Sequence, residues 1–237
     1  MQTLYMYAAA LLPAFLLLLF VWKKDQKKEP FSQLIKAVSY GALICIPIVI
    51  VELVINALLF QGGDPTTLFG ALCKAFFVAA LPEETFKLLA LWIVLYKNPY
   101  FDEHFDGIVY SVCVGLGFAA VENIGYVVGE EAWTSVAIWR ALLAVPGHYA
   151  FAVMMGYYYA VYHFVDHSPK TAAKILLIPV LAHGTYDALL MSAIAQPAII
   201  LVVFPVVIYF CIKLHKVAYA KLVELIQKDR EAIAQNK

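Results

Sequence analysis

Long apolar runs separated by short polar connections dominate the chain and predict seven membrane-spanning helices. Each run is about 20 residues or longer, which is the length that an α-helix needs to cross a bilayer. The predicted spans are residues 3–22, 36–60, 68–96, 107–128, 135–165, 174–194 and 197–215. The pattern therefore predicts an all-α, polytopic membrane protein.

The spans 68–96 and 135–165 are longer than one crossing requires, so they are expected to tilt, break or project from the bilayer. Pro82 is the natural place for a break, because proline removes a backbone donor and clashes with the preceding turn. A half-helix that begins at Pro82 would direct its positive N-terminal dipole towards Glu83 and Glu84.

Basic residues lie on alternate connections and indicate the orientation of the chain. The first connection contains the lysines at positions 23, 24, 27 and 28, and the connections 61–67, 129–134 and 195–196 contain no lysine or arginine. Because basic residues accumulate on the cytoplasmic side, the N-terminus is predicted outside and the C-terminus in the cytoplasm. Residues 213–237 are predicted to form a cytoplasmic amphipathic tail.

The composition agrees with a single integral membrane domain over residues 1–237. The chain is 63% hydrophobic and 14% charged, whereas a soluble domain is about half apolar and about a quarter charged. Its formal net charge is zero, so no nucleic-acid partner is indicated. The four cysteines are scattered singly, which supports neither a disulfide framework nor a thiolate metal site.

Polar side chains inside four predicted spans are the candidate chemistry. A charged side chain at the bilayer centre costs roughly 2.5–3.5 kcal/mol, so such residues are expected to face the protein interior. With a rise of about 1.5 Å per residue, they share the middle to outer part of the bilayer, which suggests a polar intramembrane cavity. They are Glu83, Glu84, Lys87, Glu122, Asn123, His148, His183 and Asp187.

Two spacings within this set suggest how it is organised. His183 and Asp187 are four residues apart on one helix face, so the carboxylate can orient the imidazole. Glu83 and Lys87 have the same spacing, so the lysine can neutralise one carboxylate of the pair.

Two chemistries fit these residues, and both require water in the bilayer interior. Two histidines with a glutamate are a recurrent zinc ligand set, and another glutamate would be the general base. The ligands would come from Glu83, Glu122, His148 and His183. In the metal-free alternative, Glu83 or Glu84 activates water and the histidines stabilise an oxyanion. A helix of the HExxH type is excluded, because that motif is absent.

Structural interpretations of the same residues stay open. A single intramembrane histidine, or the Glu122–Asn123 pair, can serve only as a hydrogen bond between helices. The glutamate pair could be an ion pair with Lys87, although one lysine is not expected to satisfy both carboxylates. Arg140 is expected to snorkel at the outer interface, and Glu52 and Lys74 to pair or snorkel.

At these residues the sequence resembles the PrsW family of bacterial intramembrane proteases. The matching segments are Glu83-Glu84-x-x-Lys87, residues 105–110 (FDGIVY), residues 117–123 (GFAAVEN), His148 and His183-x-x-x-Asp187. The resemblance covers residues 68–193. Ser111 departs from it, since a glycine is expected after the tyrosine, but this serine has no predicted chemical role.

The resemblance implies a relationship to the CAAX prenyl endopeptidases and their bacteriocin-immunity relatives. It therefore implies a helical core around a conical cavity in which the glutamate pair activates water. The implied partner is a membrane-bound anti-sigma factor, cleaved at an extracytoplasmic or membrane-proximal bond as the first step of regulated intramembrane proteolysis. The implied location is the cytoplasmic membrane of a bacterium.

Two other functions are compatible with buried carboxylates and histidines. One is a proton-coupled transporter, in which these groups form a relay, although no inverted repeat accompanies them. The other is a non-catalytic membrane scaffold, in which removing the charges of Glu83 and Glu84 would be tolerated.

Overall fold

A computed structural model describes residues 1–235, which are helical apart from their connections and contain no β-strand. The helices are α1 (Gln2–Lys24), α2 (Phe31–Leu43), α3 (Cys45–Phe60), α4 (Leu68–Cys73), α5 (Leu81–Leu95), α6 (His104–Val127), α7 (Trp133–Trp139), α8 (Val145–Phe164), α9 (Pro169–Ala195) and α10 (Ile200–Gln235). Two π-helical segments, Lys74–Ala80 and Arg140–Ala144, and a 3₁₀ turn, Pro197–Ile199, lie between them. The predicted all-α class is confirmed.

Six helical segments in the described part of the chain are long and apolar enough to cross a membrane. They correspond to six of the predicted spans, which supports a polytopic membrane protein. The remaining predicted span, residues 68–96, is also helical from Leu68 to Leu95 but carries Lys74, Glu83, Glu84 and Lys87. The count of seven crossings and their orientation stay predictions.

The helix boundaries differ from the expected ones where proline or capping residues decide them. α9 begins at Pro169, five residues before the predicted span, because the Ser168 hydroxyl accepts a hydrogen bond from the Thr171 amide at 3.2 Å. α10 continues without a break from the last span to Gln235, so the predicted tail extends a spanning helix. Residues 236–237 of that tail lie outside the described residues.

No half-helix begins at Pro82. The π segment Lys74–Ala80 joins α4 directly to α5, and Pro82 occupies the first turn of α5. A π turn forms hydrogen bonds from residue i to i+5, so it can accommodate the missing proline donor without ending the helix.

α6 is the central helix and is buried along most of its length against α1, α2 and α8. Its contact with α8 is close because glycines meet there. A Cβ atom on Gly156 would lie 2.3 Å from the Gly107 carbonyl oxygen. Small residues of this kind allow the backbones of membrane helices to approach each other.

At one end of the bundle, predicted to be cytoplasmic, buried carboxylates form hydrogen bonds between the helices. Asp229 of α10 accepts hydrogen bonds from the amides of His104 (3.0 Å) and Phe105 (2.8 Å), at the start of α6. In the adjacent connection, burial raises the pKa of Asp25, and it raises the pKa of Glu29 to about 7. The hydroxyl of Tyr110 donates a hydrogen bond to Glu29.

Candidate functional site

The candidate site lies where α5, α6, α8 and α9 converge around a cavity of about 710 Å³. Five of the sequence-predicted residues line this cavity: Glu83, Glu122, His148, His183 and Asp187. Three more, Glu84, Lys87 and Asn123, are buried behind its wall. The structure therefore collects all of the predicted site residues into one connected group.

Lys87 contacts both carboxylates of the glutamate pair. Its Nζ lies 2.8 Å from Glu83 Oε2 and 2.8 Å from Glu84 Oε1. The expectation that one lysine could not serve both was wrong, because the two glutamates precede it by four and three residues and share its helix face. Glu84 is fully buried, and its Oε2 has no hydrogen-bond partner among the described residues.

His183 is held between two carboxylates. Its Nδ1 lies 2.9 Å from Glu84 Oε1, and its Nε2 lies 3.2 Å from Asp187 Oδ2. The ring also stacks on Phe151, with 4.7 Å between centroids and 16° between planes. These contacts fix the orientation of the imidazole.

The tautomer of His148 follows from its two neighbours. Its Nδ1 lies 3.3 Å from Lys87 Nζ, and its Nε2 lies 3.0 Å from Glu122 Oε2. The ammonium group can only donate, so Nδ1 accepts a hydrogen bond from Lys87 and Nε2, which carries the ring proton, donates one to Glu122. The Nδ1 lone pair of His148 therefore faces the group formed by Glu83, Glu84 and Lys87.

Glu122 is in turn held by Arg140, whose guanidinium Nη2 lies 2.5 Å from Glu122 Oε2. Arg140 Nε donates to Asn123 Oδ1 at 2.5 Å, and Asn123 Nδ2 donates to the Ala10 carbonyl of α1 at 2.7 Å. Arg140 thus lines the cavity and anchors Glu122. The expectation that it snorkels at the interface was wrong.

Four donors of the site lie close enough together to hold a metal ion. One ligand atom from each of Glu83, Glu84, His148 and His183 lies within 4.8 Å of the others, and all four residues are buried. The cluster contains Glu84 where the sequence interpretation had placed Glu122. Glu122 lies on the far side of the His148 ring, at the nitrogen that points away from the cluster.

Sequence reasoning missed two aromatic contributors to the site and the partner of Lys74, besides the role of Arg140. Phe118 lies under Lys87, whose Nζ is 4.1 Å from the ring centroid, and Phe151 stacks on His183. Lys74 pairs with Asp64 at 2.8 Å, not with Glu52, although Lys74 and Glu52 both line the cavity. No signal in the sequence distinguishes these aromatic residues from core residues. Arg140 is one of only two arginines, which singles it out as a partner for Glu122.

Comparisons with known proteins show a similarity that extends over most of the chain. The profile of a family described as PrsW family intramembrane metalloprotease matches residues 29–212. The chain is 34% identical over 211 residues to Protease PrsW of Clostridioides difficile (strain 630), which covers 86% of this chain and 87% of that protein. It is 35% identical over 185 residues to Protease PrsW of Oceanobacillus iheyensis, which covers 77% and 81%.

A third relative is Protease PrsW of Bacillus subtilis (strain 168), 34% identical over 192 residues, which covers 78% of this chain and 82% of that protein. No solved structure matches the chain. The matched residues 29–212 include the whole cavity wall and every member of the donor cluster.

Proposed function

We propose, since the chain belongs to the PrsW family of intramembrane metalloproteases, that its buried carboxylate–histidine cluster hydrolyses a peptide bond of a membrane-anchored protein. Family membership makes the chain an intramembrane protease of the bacterial cell membrane, acting on membrane substrates. The observation that carries the proposed mechanism is the meeting of Glu83, Glu84, His148 and His183 at one cavity.

The residues present fit the metal that the family description implies. Two imidazoles and two carboxylates are a donor set that zinc prefers. Each histidine also has a carboxylate on its Nε2, Glu122 for His148 and Asp187 for His183, while its Nδ1 faces the cluster. Such outer carboxylates orient metal-binding histidines. Oε2 of buried Glu84 has no hydrogen-bond partner among the described residues and is a further candidate ligand atom for the metal.

We therefore propose zinc as the metal, held by His148, His183 and Glu84, which leaves Glu83 as the general base. Bound there, zinc would lower the pKa of a water molecule and polarise the scissile carbonyl. The ammonium group of Lys87 donates hydrogen bonds to both carboxylates in the structure, so it would compete with a bound ion for their oxygens.

The two glutamates have different positions and are assigned different roles. Glu83 lines the cavity, so its carboxylate is the group that takes a proton from the attacking water. The same carboxyl then gives that proton to the nitrogen of the leaving amine, which restores Glu83. Glu84 is enclosed and holds Lys87 and His183 in place.

The shape of the cavity supports cleavage near the predicted outer surface. Its wall runs from Glu83 and His148 to Lys74 on one side and to Ile194, the penultimate residue of α9, on the other. Asp187 and Ile194 are seven residues apart, which is about 10 Å along a helix. A membrane-proximal segment of a single-span protein can therefore reach Glu83 from that end. We propose an anti-sigma factor as the substrate, as the family resemblance implies.

The test uses purified full-length protein in detergent and a single-span anti-sigma factor with a labelled extracytoplasmic end. Wild type is expected to release one fragment, and Glu83→Gln, Glu84→Gln and His183→Ala are each expected to abolish release. Glu130→Gln is the matched control, because Glu130 is an exposed carboxylate outside the cavity. All variants must elute as wild type in gel filtration.

A chelator is expected to stop cleavage, and zinc to restore it, with about one zinc per chain by elemental analysis. Undiminished cleavage by folded Glu83→Gln and His183→Ala would overturn the assignment of the site. Full activity in a chelated, metal-free sample would refute the proposed role of zinc and would favour the metal-free glutamate mechanism.

A further inference from the structure

A second group of carboxylates lies at the opposite end of α6 from the candidate site. One oxygen from each of Asp25, Glu103 and Asp106 lies within 4.8 Å of the others. Asp106 and Glu122 are sixteen residues apart on α6, which is about 24 Å at 1.5 Å per residue. The two groups are therefore separate places in the molecule.

Two of the three acidic residues are deeply buried, and no lysine or arginine of residues 1–235 forms a salt bridge with the group. Asp25 is 4% exposed and Asp106 is 1% exposed. Within residues 1–235, neither these residues nor Glu103 form a salt bridge. Two lysines lie nearby without pairing with these carboxylates: Lys27 pairs with Asp102, and the ammonium group of Lys28 binds the backbone carbonyls of Trp22 and Asp25.

Two carboxylate oxygens in this group also have no N–H or hydroxyl donor within hydrogen-bond distance in the described part of the chain. They are Oδ1 of Asp25 and Oδ1 of Asp106, and both are buried. The other oxygen of each residue is occupied: Asp106 Oδ2 accepts the amides of Asp102 (3.0 Å) and Glu103 (2.7 Å), and Asp25 Oδ2 accepts the amide of Glu29 (3.4 Å). Buried polar atoms are normally satisfied, so each unpartnered oxygen points to a missing ligand.

We propose that Asp25, Glu103 and Asp106 form a binding site for a hard divalent cation, magnesium or calcium. The donors are all oxygens, which these ions prefer over the nitrogen and sulfur ligands of zinc. Metal–oxygen bonds of about 2.0–2.6 Å allow ligand oxygens to lie up to about 4–5 Å apart, and these three oxygens lie within 4.8 Å of one another. The predicted orientation places this site on the cytoplasmic side.

The site would join the end of α1 to the start of α6, at a turn that α10 also contacts. Asp25 follows α1, Glu103 precedes α6, and Asp106 lies in the first turn of α6. The hydrogen bonds of Asp229 fix the end of α10 to the same turn. A cation bound here would therefore stabilise the packing of α1, α6 and α10 without contacting the candidate active site.

The test measures thermal unfolding of the full-length protein in detergent during separate titrations with magnesium chloride and calcium chloride. Sodium chloride of equal ionic strength controls for screening. Ligands that bind only the folded state raise the melting temperature, and above the dissociation constant the rise grows with the logarithm of the ligand concentration. We expect such a rise beyond the sodium chloride control for wild type, and an affinity reduced about tenfold or more in Asp25→Asn and Glu103→Gln, because each loses one ligand charge.

Two further variants separate this site from the candidate active site. His183→Ala is expected to keep the response to magnesium or calcium, and Glu130→Gln is expected to behave as wild type. Asp25→Asn should also be more stable than wild type in the absence of cations, since it removes one charge from a crowded group. The readout requires no proteolysis, so it does not depend on the proposed function.

Three results would overturn the proposal. One is the absence of any rise in the melting temperature of wild type beyond the sodium chloride control up to 10 mM of either cation, a range chosen to cover weak sites of about millimolar affinity. Another is an unchanged response in folded Asp25→Asn and Glu103→Gln, which would place the ion elsewhere. The third is loss of the response in His183→Ala, which would assign it to the active-site cluster.

Discussion

Removing the ammonium group of Lys87 is expected to destabilise the protein strongly when no metal is bound. In Lys87→Met, the carboxylates of Glu83 and Glu84 keep their positions but lose the cation 2.8 Å from each. Methionine has a similar length and no charge, so the substitution changes the electrostatics more than the volume. The imidazole of His183 is then the remaining basic group close to both carboxylates, with Nδ1 at 3.9 Å from Glu83 Oε2 and 2.9 Å from Glu84 Oε1.

The magnitude follows from the burial of the group. Two unit charges 2.8 Å apart attract each other by about 6 kcal/mol at an effective dielectric constant of about 20. Part of this is offset by the desolvation that the lysine no longer pays, since Lys87 is only 3% exposed. Breaking a buried ion pair on one side typically costs about 3–5 kcal/mol. For a chain of this size, that corresponds to a fall of roughly 6–20 °C in melting temperature.

The assay is thermal unfolding of chelator-treated protein in detergent, followed by circular dichroism, with Lys97→Met as the control. Lys97 is exposed, lies just beyond the end of α5 and forms no salt bridge in the described chain, so its substitution should change the melting temperature little. Zinc should then stabilise Lys87→Met more than wild type, because the ion no longer competes with the ammonium group.

A melting temperature of Lys87→Met equal to that of Lys97→Met in chelator would refute the electrostatic reasoning. It would mean that the two glutamates are not both ionised beside Lys87. Equal stabilisation of wild type and Lys87→Met by zinc would refute the competition between the ammonium group and the metal.

Three further outcomes follow from the structure. Asp187→Asn should lower zinc affinity or the turnover number about 10–100-fold with little change in KM. The reason is that the amide still contacts His183 but no longer supports the imidazole with a negative charge. An unchanged zinc titration and turnover number would exclude this positioning role. Gly156→Ala should lower the free energy of unfolding by about 1–3 kcal/mol, since the new Cβ atom would lie 2.3 Å from the Gly107 carbonyl oxygen. Denaturant titration measures this change. Gly125→Ala is the control, because open space surrounds Gly125. Asp229→Ala should lower the free energy of unfolding by about 1–2 kcal/mol, because the amides of His104 and Phe105 lose their acceptor. A melting temperature equal to that of wild type would show that water replaces the carboxylate.

The parts of the site that sequence could predict are those fixed within one helix. The contacts of Lys87 with Glu83 and of His183 with Asp187 follow from a spacing of four residues. The fold class follows from the length and apolarity of the spans, since only closed hydrogen-bonding patterns cross a bilayer. Both predictions depend on local geometry, and for that reason the structure and the sequence agree on them.

The parts that sequence could not predict depend on how neighbouring helices are rotated. Arg140 reaches Glu122 from a different helical segment, and Phe151 of α8 stacks on His183 of α9. A π turn adds about one residue to a helical turn and rotates everything after it. Such a segment ends four residues before His148, so a regular helix through residues 135–165 would assign the wrong face to Arg140.

Proline and π-helical backbone connect the sequence to the cavity itself. Pro82 precedes Glu83, Pro146 lies two residues before His148, and both prolines lie in the first turn of an α-helix that directly follows a π segment. Proline cannot donate the hydrogen bond of a regular turn, and a π turn widens the helix at that point. A wider helix cannot pack as closely against its neighbours, and both π segments do line the cavity, through Lys74 and Ala79 in the first and Arg140 and Ala144 in the second. The backbone feature that admits proline next to each site residue therefore also opens the space in which a substrate and water have to meet them.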